Sequence, residues 1–133
     1  MPAAIRTLSA GVPNSHRYLL FPPAGGTTGM FRHIADVASG AEVQAVEYPG
    51  RGDRLGARPP ASLEELAEQV TGEVLRQDPE QVRRTLVIGF SMGAFVAFEV
   101  VQRLRTRCGP TPAAIVVVGA PAPDRRVRGR YAR

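Results

Sequence analysis

The stretch VIGFSMGAFVAFE, Val87–Glu99, decides how this chain folds. A run of β-formers, TLVIGF at 85–90, gives way at Ser91 to a helical pattern. Phe95, Val96, Phe98, Val100, Val101 and Leu104 cover most of that helix's circumference. A strand apolar on both faces belongs in the middle of a parallel sheet, and a helix apolar nearly all round belongs in the interior. Their junction is Gly89-Phe90-Ser91-Met92-Gly93. A Gly-x-Ser-x-Gly elbow sets its serine on a sharp strand-to-helix turn with strained dihedrals. The flanking residues must be small, because the helix and the neighbouring strand crowd the turn. Gly89 and Gly93 meet that need, and Ala94 extends it. The Ser91 hydroxyl then projects at the carboxyl end of the sheet over a helix N-terminus, with the Met92 N–H placed to donate to an oxyanion. The same five residues could make a plain turn. The strand before them and the buried helix after them favour a nucleophile.

Outward from the elbow, strands and helices alternate. RYLLF at 17–21 reads as a buried strand, and PPAGGTTGM as a Pro/Gly-rich turn ending in threonines able to cap a helix. Met30, Phe31, Ile34, Val37 and Ala38 recur at helical spacing, and Gly40 stands where a helix C′ residue would. EVQAVEY at 42–48 is a second strand, followed by the loop PGRGDRLGARPP. Ser62 and Glu65 form a capping box opening a helix on Leu63, Leu66, Ala67, Val70 and Val74, which the spacing ends near Asp78-Pro79. The helix after the elbow carries Arg103, Arg105 and Arg107 at its negative end and stops at Gly109-Pro110. AAIVVVG at 113–119 is a fourth strand. This order predicts an α/β fold: a parallel sheet with right-handed crossovers and helices on both faces, ending after about four strands. The last strand is an apolar edge, and an apolar edge calls for a partner chain or self-association.

The composition fits one domain. Of 133 residues, 44% are hydrophobic and 22% charged, an ordinary globular balance. The longest apolar runs, at 18–21 and 113–120, fall far short of the roughly 20 residues of a membrane span, and the N-terminus shows no secretory h-region. A cytoplasmic location is the expectation. The single cysteine, Cys108, can form neither an internal disulfide nor a metal cluster by itself. The net charge of +5 does not indicate nucleic acid: residues 124–133, DRRVRGRYAR, hold five Arg and one Asp, or +4 of it. Residues 1–123 form the domain, and 124–133 a basic Arg-rich tail.

A second oxyanion donor belongs on the loop after the first strand. FPPAGG at 21–26 is placed for it, through the N–H of Ala24 or Gly25, since Pro22 and Pro23 have none. Together, LLFPPAGGTTGMFR, VEYPGRGDR and IGFSMGAFVAFEV resemble the type II thioesterases. These are stand-alone α/β-hydrolases that accompany polyketide synthases and non-ribosomal peptide synthetases. The resemblance runs from about residue 15 to 121, roughly the first half of such an enzyme. It implies hydrolysis of acyl thioesters on the phosphopantetheine arms of acyl carrier or peptidyl carrier proteins, with no cofactor and no metal. It makes Ser91 the nucleophile, with the Met92 and Ala24 N–H groups as the oxyanion hole. The family commonly has histidine before Ala-Gly-Gly, where this chain has Pro23; the backbone donor survives that change.

The triad of such enzymes follows the order serine, acid, histidine. No histidine occurs in the 42 residues after Ser91. His16 and His33 precede it, at the amino end of a strand and on the first helix, and neither is placed to act as base. Asp124, the one acid beyond the fourth strand, reads as the start of the charged tail. Arg51-Gly52-Asp53 spells an adhesion tripeptide but lies within YPGRGDR. Glu99 stands four residues before Arg103, the favourable order for an ion pair, and is read as one. Three expectations follow for the chain: a thioesterase portion that is impaired alone, one half of a split hydrolase, or a silent module that binds carriers or other partners.

Overall fold

A computed structural model describes residues 3–48 and 63–119. The strands are β1 (Ile5–Ser9), β2 (Arg17–Phe21), β3 (Glu42–Val46), β4 (Thr85–Phe90) and β5 (Ala114–Val118). The helices are α1 (Arg32–Val37), entered through a 3₁₀ turn at Thr28–Phe31, then α2 (Leu63–Leu75), α3 (Pro79–Arg83) and α4 (Met92–Thr106). The sheet order is β1-β3-β2-β4-β5, with β3, β2, β4 and β5 parallel and β1 antiparallel to β3.

The alternation of side chains along β2 shows why helices cover both faces. Leu19 and Phe21 point to the face where α2 and α4 pack with Leu66, Val70, Val74, Val96, Val100 and Leu104. Leu20 points to the other, where Phe31 and Ala35 close over Val43 and Ala45. Each such aliphatic side chain taken out of water contributes about 2 kcal/mol before the entropy of ordering it. The outermost parallel strand receives less cover: Val116 and Val118 of β5 are 42% and 43% exposed.

Three sequence expectations change. The sheet is mixed and has five strands, rather than being parallel with about four. The added strand β1 is short, and two long-range contacts hold it. It pairs with β3, and the Glu73 carboxylate of α2 accepts the backbone N–H groups of Ala4 and Ile5 at 2.7 and 2.9 Å. The second helix ends at Leu75, and Asp78-Pro79 opens a new one instead of closing the old: the Asp78 side chain accepts from Glu80 N–H and proline occupies the first turn. The first helix ends at Val37, and Thr27, at its 3₁₀ entry, makes no side-chain cap. Gly40 does adopt a positive φ of 77°, two residues past the C-cap. Ser62 of the capping box and the loop at 49–60 lie outside the described residues.

Helices α2 and α4 are also laced by charge. Glu68 accepts from Arg107 and, at 3.2 Å, from Arg103, while Arg103 reaches Glu99 at 2.6 Å, the ion pair its spacing predicted. The Arg107 hydrogen bond, helped by Arg103, holds the Glu68 carboxyl below the ordinary carboxylate range. A lowered folded-state pKa means the contribution is complete above the unfolded pKa and is lost as pH falls through the folded one. Glu68→Gln should therefore melt lower than the parent from pH 5 to 8, with the gap closing below about pH 4. Thermal melts across pH check this. Because Glu68 is half exposed, the gap should also shrink in high salt.

Candidate active site

Strand β4 delivers the chain to Ser91, which is the N-cap of α4. Its backbone has φ 54° and ψ −117°, a left-handed conformation that a side chain disfavours. Two glycines make that turn possible. A Cβ on Gly89 would lie 2.5 Å from Ala94 Cα, and one on Gly93 would lie 2.2 Å from the Phe21 carbonyl oxygen and 2.6 Å from that of Pro22. The turn is thus closed by backbone on both sides, as the elbow reading expected. The Ser91 N–H donates to the Val118 carbonyl of β5 at 2.8 Å, and the Ser91 carbonyl accepts from Ala94 N–H at 3.0 Å.

The Ser91 hydroxyl makes no capping hydrogen bond to α4. A serine whose only task is to start a helix normally bonds the N2 or N3 amide. The first N–H groups of a helix lack intrahelical partners and carry its positive end, so a nucleophile here faces donors to any anion it generates. Met92 is the first residue of α4.

The other candidate donor loop reaches the same place. The Gly93 contact sets the end of β2, Phe21-Pro22, against the first turn of α4, and Ala24 follows two residues later on an exposed tight turn. That turn is closed by Gly26 N–H to Pro23 O at 2.9 Å, with Gly25 at φ 79°. Two residues that the sequence reading passed over, Glu47 and Tyr48, meet this loop from below. The Tyr48 hydroxyl donates to Pro22 O at 2.7 Å, and Glu47 accepts from the Thr28 N–H and hydroxyl at 2.9 and 3.1 Å. No local signal set them apart, since β3 itself also carries Glu42 and Gln44.

The remaining candidates stand apart from the elbow. His16 precedes Arg17, whose register partner Thr85 opens β4, so it lies at the amino end of the strands. Five strand residues, about 17 Å, separate that end from the elbow. His33 is exposed on α1, and Cys108 is exposed with a free thiol. Asp124 lies outside the described residues. Among the described residues, no group of three His, Cys, Asp or Glu could hold a metal ion, and no helix is long and apolar enough to cross a membrane.

A model of the thioesterase domain matches residues 17–133. The chain belongs to the thioesterase domain family. It is 41% identical over 115 residues to thioesterase PikA5 of Streptomyces venezuelae, covering 84% of this chain and 40% of that one. To the probable cadicidin biosynthesis thioesterase of Streptomyces griseus it is 37% identical over 109 residues, covering 81% and 29%. Among solved structures it is similar to the type II thioesterase BorB from the borrelidin biosynthetic cluster. There the TM-score is 0.81 at 30% identity, covering 97% of this chain and 52% of that one. This thioesterase domain therefore spans about half the length of these relatives, or less. The type II resemblance and the α/β-hydrolase-like sheet with helices on both faces both stand.

Proposed function

We propose that this thioesterase domain serves the hydrolysis of acyl thioesters on the phosphopantetheine arm of an acyl carrier or peptidyl carrier protein, with Ser91 as nucleophile. The Ser91 oxygen attacks the thioester carbonyl as its proton passes to a base. The oxyanion accepts from Met92 N–H and Ala24 N–H, and the carbon–sulfur bond breaks to release the pantetheine thiol. Water then cleaves the acyl-serine ester, giving the free acid and restoring the hydroxyl. Editing of carrier-bound chains in polyketide or non-ribosomal peptide synthesis is the setting that fits this chemistry. The observation that carries the reading is the Ser91 backbone, strained at φ 54° with its hydroxyl uncommitted to the helix.

No histidine follows Ser91 in this sequence, so the base is assigned to polypeptide other than residues 92–133. The exposed Val116 and Val118 favour pairing or covering of β5 by that polypeptide or by a second copy. The Arg-rich segment 124–133 suits the acidic surface of a carrier.

A serine without a base is a weak nucleophile, and free imidazole can stand in for an absent imidazole side chain. The chain is incubated with a fluorophosphonate, with and without imidazole, and followed by intact mass. Labelling at Ser91 that imidazole accelerates, and that Ser91→Ala abolishes, is the expected result. A folded chain that stays unlabelled even with imidazole would overturn the proposal.

A further inference from the structure

The Gly-rich loop after β2 is gripped at both ends. At its start, the Pro22 carbonyl takes the Tyr48 hydroxyl at 2.7 Å on one side, while Gly93 crowds it on the other. At its end, the Glu47 carboxylate takes both polar hydrogens of Thr28, the N–H on Oε1 and the hydroxyl on Oε2. Glu47 and Tyr48 are 5% and 6% exposed. Burial raises the Tyr48 phenol well above its usual pKa, so it stays protonated and able to donate.

Such a grip exceeds what the fold requires. Phenylalanine would fill the Tyr48 site as well, and an exposed turn could leave its amides to water. A buried carboxylate that takes both polar hydrogens of one loop residue fixes that residue's direction, because each oxygen is engaged by a donor of known geometry. Between the two anchors lie only Pro23, Ala24, Gly25, Gly26 and Thr27, and the Gly26–Pro23 bond closes the turn inside them. Three glycines or prolines in that span set the path of the chain, but they do not hold it against the elbow. The residues after β3 do.

We infer that Tyr48 and Glu47 are positioning residues: they clamp the two ends of the Pro22–Thr28 loop so that the Ala24 N–H stays aimed at the oxyanion formed at Ser91. The inference rests on the reading of Ser91 as nucleophile and Ala24 as donor. Neither residue touches the reacting atoms. Removing one donor from an oxyanion hole costs about 100- to 1000-fold in rate, and a displacement near 1 Å about 100-fold. A loosened loop keeps its donor and samples the aimed position part of the time, so its loss falls at or below the lower end of that range.

The test uses the full chain with two readouts: amide hydrogen exchange of Ala24 to Thr28, and the rate of fluorophosphonate labelling of Ser91 in imidazole. Tyr48→Phe removes one hydroxyl and keeps the ring. It should speed exchange in the loop while β4 and α4 stay protected, and should slow labelling about 10- to 100-fold without moving its pH profile. Glu47→Ala should do the same, whereas Glu47→Gln, which can still accept the Thr28 N–H, should restore most of the rate. Unchanged exchange in the loop overturns the inference. So does faster exchange with unchanged labelling, or loosening spread evenly over the whole fold. If the parent chain is not labelled at all, the Ser91 reading fails, and exchange alone decides the clamp: loosening confined to the loop supports it, and none overturns it.

Discussion

Replacing Ser91 by glycine stabilises the chain and ends its reaction with fluorophosphonate in the same step. At φ 54° and ψ −117° a residue with a Cβ carries strain of about 1 to 3 kcal/mol, which glycine does not feel. Against that gain stands the greater freedom of glycine in the unfolded chain, worth about 0.4 to 1 kcal/mol. The difference favours glycine by about 1 kcal/mol. Ser91→Ala keeps the Cβ and the strain, so it loses the hydroxyl without the stabilisation. For both variants the loss in chemistry is larger by far: removing a nucleophilic serine costs about a million-fold in turnover where the full machinery is present. Urea midpoints at an unchanged denaturant slope, beside intact mass after labelling, measure both quantities. A glycine variant no more stable than the alanine variant would show that the turn is unstrained.

One methyl group, added at two glycines, has opposite effects. At Gly93 a Cβ would sit 2.2 Å from the Phe21 carbonyl oxygen and 2.6 Å from that of Pro22. Both obstacles are backbone, one of them in a central strand, so neither can turn aside as a side chain would. Gly93→Ala must push α4 away from the end of β2, and a loss on the order of 4 kcal/mol or failure to fold is expected, beyond the usual 1 to 3 kcal/mol of overpacking. The same displacement moves Pro22, so any folded fraction should label slowly. Gly72, in the middle of α2, meets only Arg76 Nη1 at 3.9 Å. There Gly72→Ala should stabilise by up to about 1 kcal/mol through helix propensity alone. Equal effects at the two sites, read from denaturant midpoints, would refute the account of the elbow as a point of backbone contact.

The parts of this fold that could be read from sequence are those whose causes are local. β2 and β4 stood out as apolar runs because central parallel strands are covered on both faces, β5 stood out as an apolar run although the described fold leaves it half open, and the elbow stood out because its steric demand falls on residues within two positions of Ser91. β1 did not: the sequence IRTLS is half polar, and it becomes a strand because it pairs with β3 and because Glu73, almost seventy positions away, accepts the amides of Ala4 and Ile5 at its start. Asp78-Pro79 was visible but ambiguous, since the same pair can follow one helix or start another. Tyr48 and Glu47 escaped for the same reason as β1. Their partners are 26 and 19 residues distant, and nothing nearby reveals that a strand's last residues turn to hold another strand's loop.

The hydrogen bond from Ser91 N–H to Val118 O joins the strained turn at the elbow to the least sheltered of the described strands. β5 lies at the rim of the described sheet, yet its final peptide is the abutment on which the elbow leans. The rigidity of the serine's backbone is therefore limited by how firmly that rim is seated. Whatever lies against β5 acts as a buttress one peptide unit from the reacting group, and a rim left bare would let the turn relax.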